Sequence, residues 1–78
     1  MKATLKLFAT LGARQAPVAE LELAPGTTVG ALIGQRGLPR QLCTMVLVNG
    51  VFVPTAELDS RILEEGDVLA IWPPVGGG

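Results

Sequence analysis

The chain has 78 residues, enough for one domain and no more. Six basic and seven acidic residues leave a net charge of −1, which argues against nucleic-acid binding through a broad basic surface. Hydrophobic residues make up 49% of the chain, and the core must come from them, because Cys43 is the single cysteine and no internal disulfide can form.

The run Lys2-Ala-Thr-Leu-Lys-Leu-Phe-Ala9 alternates, with Lys2, Thr4 and Lys6 on one side and Ala3, Leu5 and Leu7 on the other. A period of two marks a strand with one buried face. Thr10 to Pro17 contains Gly12 and Pro17 and reads as a loop. Val18 to Leu23 alternates again, with Glu20 and Glu22 outward, which predicts an antiparallel hairpin. Pro25-Gly26 breaks that strand, and Thr27 or Thr28 can cap a following helix. Val29, Leu32 and Ile33 fit the spacing of a helix lying on a sheet. Gly30 and Gly34 each weaken it by about 1 kcal/mol relative to alanine, so close packing or a short, imperfect helix is expected. Gly37 is a natural stop and Pro39 prevents continuation.

Thr44 to Val48 is a β-rich apolar run and predicts a central strand covered on both sides. Asn49-Gly50 predicts a type I′ turn into Val51-Phe52-Val53, which Pro54 ends. Residues 55–65 are expected to hold a single helical turn. Glu65-Gly66-Asp67 turns the chain into the last strand, Val68 to Trp72. The order β-β-α-β-β-β predicts a two-layer α+β domain with one main helix packed on a mixed sheet.

Charge is unevenly placed. Residues 57–67 carry Glu57, Asp59, Glu64, Glu65 and Asp67 against Arg61. This is either an acidic patch that steers a basic partner or a solvated loop. No apolar run approaches the roughly 20 residues of a membrane span, and the first residues do not read as a signal peptide. A cytoplasmic protein that binds no membrane is expected.

The sequence contains no histidine and no tyrosine. Without histidine, the common catalytic triads and most zinc sites are excluded. One cysteine cannot hold an iron–sulfur cluster, and no glycine-rich run precedes a helix as a phosphate loop requires. Cys43 could be pictured as a persulfide carrier, but its place beside an apolar strand fits a buried structural thiol better. A self-contained enzyme is not expected, and no bound cofactor.

The tail carries the chemistry. Pro73-Pro74 cannot donate to a sheet ladder, so pairing stops there and a stiff exit begins. Val75, Gly76, Gly77 and Gly78 follow as a thin, flexible end that extends roughly 13–14 Å. The α-carboxylate at Gly78 is ionised at neutral pH and must be activated, for instance as a mixed anhydride with AMP, before it becomes an acyl donor. A glycine-rich end can also be simple disorder. If Leu69 and Ile71 point inward, Val68, Ala70 and Trp72 point outward and form a docking patch beside the tail, unless the chain itself covers them; Trp72 and Phe52 are also candidates for the core.

The segment Gly66-Asp-Val-Leu-Ala-Ile-Trp-Pro-Pro-Val-Gly-Gly-Gly78 resembles the C-terminus of the molybdopterin-synthase small subunit family, a group of ubiquitin-like sulfur carriers. Leu5-Lys-Leu-Phe-Ala9, Gly26-Thr-Thr-Val29 and Val48-Asn-Gly50 match it too, and the thiamine-pathway sulfur carrier shares the Gly-Gly end. The resemblance implies a β-grasp fold over residues 1–74 and a working tail at 75–78. It implies that an E1-like enzyme uses ATP to adenylate Gly78 and that a persulfide sulfur-donor enzyme then supplies a thiocarboxylate. Val75, Gly76 and Gly77 would enter partner active sites, Val68, Ala70, Trp72, Pro73 and Pro74 would dock partners, and a molybdopterin-synthase large subunit is a further partner. Trp72 stands where phenylalanine is more usual, and the helix region is shorter than is typical. The pathway therefore stays open among molybdenum or tungsten cofactor, thiamine, tRNA thiolation and cysteine synthesis. A ubiquitin-like modifier forming isopeptides, or an interaction domain with an inert tail, are the other readings.

Overall fold

The structure, a computed structural model, describes residues 1–74. Strand β1 (Lys2–Leu7) realises the period of two: Ala3, Leu5 and Leu7 are buried, while Lys2 and Lys6 are exposed. It pairs antiparallel with β2 (Val18–Glu22), Leu5 opposite Ala19. The β1 strand stops at Leu7 rather than Ala9. Ala9 takes a left-handed φ of 51° and turns the chain into a 3₁₀ helix, Ala9–Ala13. The expected loop is thus partly helical, because it carries the fully buried Leu11 into the core.

Helix α1 (Val29–Gln35) begins at Thr28, whose Oγ1 accepts from the Ala31 N–H at 3.0 Å. Thr27 is buried and donates to the Ala24 carbonyl at 2.6 Å instead. The helix ends through Gly37 at φ 67°, with Leu38 N–H donating to the Ile33 carbonyl and Gly37 N–H to that of Gly34. That double bond closes the last turn, and buried Leu38 completes it. Val29, Leu32 and Ile33 are the buried stripe.

The two helix glycines differ. A Cβ at Gly30 would run into the Asp59 carboxylate, which pairs with Arg40 at 2.8 Å. Arg40 holds the Asp59 carboxyl below its ordinary range. The pair therefore contributes above the unfolded pKa of Asp59 and is lost as pH falls through the lowered value; being exposed, it contributes little. At Gly34 a Cβ would meet nothing within 4 Å. Gly34→Ala is expected to stabilise the chain by about 0.5–1 kcal/mol, read as a rise of several degrees in the thermal midpoint.

Strand β3 (Met45–Val48) turns through Asn49 (φ 51°) and Gly50 (φ 82°) into β4 (Val51–Phe52), as Asn-Gly predicts. A 3₁₀ turn at Thr55–Glu57 is the expected helical turn, and β5 (Val68–Trp72) closes the sheet. The strand order is β2-β1-β5-β3-β4, with β1 and β5 parallel and the other pairs antiparallel. Leu5, Leu69 and Val48 form one buried row across three strands, and Leu7, Ile71 and Val46 the next. The helix covers this face, giving a two-layer β-grasp fold. β5, not β3, is the middle strand. β3 is covered on one side only, since Met45 remains 49% exposed while Val46 and Val48 are buried. Phe52 is 54% exposed and is not a core residue.

The acidic run is not wholly free surface charge. Asp59 pairs with Arg40, and the Glu65 carboxylate accepts from the Lys2 N–H. Asp67 is buried and accepts from the Asn49 side-chain amide and the Glu64 N–H, both at 2.8 Å. Asn49 also accepts from Val68 N–H at 2.9 Å. These bonds tie the β3–β4 turn to the start of β5.

Candidate docking face and tail base

β5 leaves the sheet at a firmly held point. Phe8 N–H donates to the Ile71 carbonyl at 3.1 Å, the last ladder bond on the β1 side. On the β3 side the Trp72 carbonyl accepts from both the N–H and the hydroxyl of Thr44, each at 3.1 Å. The Trp72 ring stacks on Phe8 with centroids 4.0 Å apart and planes 4° from parallel. Aromatic pairing is worth about 0.5–1.5 kcal/mol beyond the area it buries. Pro73 is buried and Pro74 exposed. Having no N–H, Pro73 ends the ladder without leaving a buried donor unpaired. The chain therefore departs from a fixed position and in a fixed direction.

Val68, Ala70 and Trp72 point away from the helix, as their spacing predicts, and each is half-buried. Pro74 adds exposed surface beside them, whereas Pro73 is turned into the body and offers little to a partner. Val75, Gly76, Gly77 and Gly78 lie outside the described residues.

The register adds residues that sequence reasoning missed. Val18, Lys6, Ala70, Leu47 and Phe52 are consecutive partners and form one row across all five strands. Met45 sits opposite Trp72 in the neighbouring row. Val18 is 60% exposed, beside the exposed Met45 and Phe52 already noted. One row of the helix-free face is thus apolar from edge to edge, broken by Lys6, and with Met45 and Trp72 it runs up to the base of the tail, while Lys2, Thr4, Glu20 and Glu22 make the far end of the same face polar. Isolated apolar side chains on a surface are ordinary, but a contiguous set of this kind marks an interaction face. No single motif could have revealed it, since it depends on which strands become neighbours.

Cys43 belongs to the core. It is 4% exposed, and its thiol donates to the Pro39 carbonyl at 3.5 Å. Burial pushes the thiol up, and nearby Arg40 only partly opposes this. A protonated, covered thiol is a poor nucleophile. Labelling of Cys43 by a disulfide reagent at pH 7 is expected to be at least ~100-fold slower than that of a free thiol, to quicken as pH rises, and to become fast in denaturant. Fast labelling of the folded protein would reopen a redox role.

Among the described residues, no helix is long and apolar enough to cross a membrane. The ThiS family model matches residues 5–78. Among solved structures, SAMP1, a small archaeal modifier protein from Haloferax volcanii, is 26% identical, with all of both chains covered and a TM-score of 0.75. The HVO 2177 protein of the same organism is 27% identical over all of this chain and 87% of its own, with a TM-score of 0.79. The complex of subunits 1 and 2 of molybdopterin-converting factor from Helicobacter pylori contains a chain with the same fold, 20% identical, fully covered both ways, TM-score 0.64. No curated protein sequence matches the chain.

Proposed function

The chain belongs to the ThiS family, and from that premise we propose that it is a sulfur carrier whose Gly78 carboxyl group is activated and converted to a thiocarboxylate. The observation that carries the proposal is the family match, which runs from Leu5 in the first strand through Gly78. The firmly held exit at Trp72 and Pro73 supports it, because a fixed departure point lets a narrow tail be presented at a defined distance from a docked body.

In this reading an E1-like enzyme brings ATP to the Gly78 carboxylate. A carboxylate oxygen attacks the α-phosphorus and pyrophosphate leaves, producing an acyl adenylate. The terminal sulfur of an enzyme persulfide attacks the carbonyl carbon and AMP leaves. A thiol then attacks the enzyme-side sulfur of the resulting acyl disulfide, forming a disulfide with that enzyme and releasing Gly78 as the thiocarboxylate. The glycines present no side chain to these active sites, and Val75 is the one bulky residue among them. The chain is a cosubstrate in each step, and the catalytic groups belong to its partners.

The acceptor we favour is a pterin precursor of the molybdenum or tungsten cofactor, with a synthase large subunit receiving the tail. The likeness to the subunit found in a molybdopterin-converting factor complex supports the shape of that pairing. Thiamine, thiolated tRNA and cysteine are the alternative destinations. A second reading, conjugation to lysines as a ubiquitin-like modifier, is favoured by the likeness to SAMP1. Intact mass separates the two. After incubation with the activating enzyme, ATP and a persulfide donor, a carrier exchanges one oxygen for sulfur, whereas a modifier appears joined to other proteins. A chain that does neither refutes both.

A further inference from the structure

One side chain clasps the β3–β4 turn to the start of β5. Asn49 uses both ends of its amide: Nδ2 donates to the Asp67 carboxylate at 2.8 Å, and Oδ1 accepts from the Val68 N–H at 2.9 Å. Its backbone N–H donates to the Val68 carbonyl at 2.8 Å. Asp67 is buried, and its second oxygen accepts from the Glu64 N–H. The turn places Asn49 at φ 51° and Gly50 at φ 82°, and both residues are exposed. When glycine follows asparagine, no side chain obstructs the approach of the next backbone nitrogen to the asparagine side-chain carbonyl carbon. The pair of residues that shapes the hairpin is therefore also a reactive pair.

The reaction needs water and nothing else. The Gly50 N–H gives its proton to solvent, its nitrogen bonds to Asn49 Cγ, and the Cγ–Nδ2 bond breaks as ammonia leaves. Water then opens the cyclic imide. Cleavage of the new bond to Cγ gives aspartate, whereas cleavage at the Asn49 main-chain carbonyl carbon gives isoaspartate. The closed clasp blocks the first step. Two hydrogen bonds hold the amide toward β5, so Cγ cannot turn to meet the Gly50 nitrogen until they release. Neither product can remake the clasp. Aspartate at this position has no amide donor for Asp67 and sets a second carboxylate against a buried one. Isoaspartate lengthens a two-residue turn by one methylene, which disturbs the pairing of Val48 with Val51.

We propose that Asn49 is a site of spontaneous deamidation, gated by its release from Asp67 and Val68, and that the product holds the start of β5 open. The same stretch is tied to β1: Thr4 N–H donates to the Asp67 carbonyl at 2.9 Å, and Gly66 N–H donates to the Lys2 carbonyl at 2.8 Å. Because β5 lies between β1 and β3, loosening at Asp67 reaches both of its neighbours. A chain that opens here is marked covalently and does not regain its first stability. The proposal is independent of the chemistry at Gly78, since the turn meets β5 at Val68, the end opposite Trp72.

The test is peptide mapping by mass after timed incubation of the full chain in mildly alkaline buffer, with isoaspartate read by enzymatic methylation. The unaltered chain is followed both folded and unfolded in urea, beside Asp67→Ala and Asp67→Asn. The folded chain should deamidate at Asn49 at least about tenfold more slowly than the unfolded one. Each variant's urea curve gives its unfolded fraction, and that fraction sets the rate that global unfolding alone would produce. Asp67→Ala should exceed this rate by about tenfold. Asp67→Asn keeps the shape and one acceptor oxygen, so it should exceed it by about threefold, and it serves where Asp67→Ala does not fold. Asn49→Asp, the direct product, should melt several degrees below the unaltered chain. Combining Asn49→Asp with Asp67→Asn should restore most of that loss, because amide and carboxylate then merely change places. Equal rates for folded and unfolded chain, or variant rates no faster than their unfolded fractions explain, would overturn the gate. An Asn49→Asp chain as stable as the unaltered one would overturn the claim that the product holds β5 open.

Discussion

A chain lacking Gly78 is expected to lose carrier-dependent ATP–pyrophosphate exchange by a factor of at least about 1,000. Each extended residue adds roughly 3.5 Å, so removing one withdraws the carboxylate by about that distance from the α-phosphorus that it attacks in the proposed activation. Misplacement by ~1 Å already costs about 100-fold in a positioned reaction. The body cannot move inward to compensate, because Trp72 is stacked on Phe8, its carbonyl is held by Thr44 and Pro73 is buried. Exchange measured at saturating carrier, beside a thermal unfolding curve, separates this loss from misfolding. Unaltered exchange with a normally folded shortened chain would remove Gly78 from the mechanism.

Replacing Leu69 with alanine is expected to lower stability by about 3–4 kcal/mol, the range for truncating a buried leucine that neighbours cannot collapse upon. Leu69 is fully buried in the middle strand, with Leu5 on one side and Val48 on the other. A domain of this length has only about 4–12 kcal/mol to lose. The variant should therefore unfold at much lower urea, with a detectable unfolded fraction in buffer if the parent is near the lower end of that range. The matching change at an outward position, Ala70→Ser, should cost well under ~1 kcal/mol, since Ala70 is half-exposed. Similar midpoints for the two variants would mean that the burial assigned to β5 is incorrect.

Strand faces were legible because a period of two is local. Ala3, Leu5 and Leu7 in β1, and Leu69 and Ile71 in β5, are buried as their spacing implies. Asn49-Gly50 and Thr28 were legible for the same reason, each acting on its own neighbours. What depends on partners far along the chain was not. Met45 to Val48 is uniformly apolar and reads as covered on both sides, yet only Val46 and Val48 meet the helix layer. The apolar residues of the other parity belong to the exposed face, and pattern alone cannot distinguish a second core from an interaction surface. The site divides in the same way. The outward set Val68, Ala70 and Trp72 followed from β5 alone, but Lys6, Leu47 and Phe52 joined it only through the register of four strand pairs. Pro73, which the resemblance implies as a docking residue, is buried, because the chain is still crossing the body when its ladder ends. Leu11 reached the core through a 3₁₀ segment too short to show a periodic signal.

The parallel pairing of β1 with β5 has a consequence for synthesis. The sheet is completed by inserting its latest-made strand between two earlier ones, so β1 and β3 keep open inner edges until Trp72 has emerged. Such edges invite aggregation and proteolysis, and closing them requires contacts between distant parts of the chain. Nascent or broken chains that stop short of β5 should be cleared by cellular quality control. If the end is activated as proposed, the surviving pool would be enriched in chains translated far enough to bear it, and structural completeness would then screen for chemical competence.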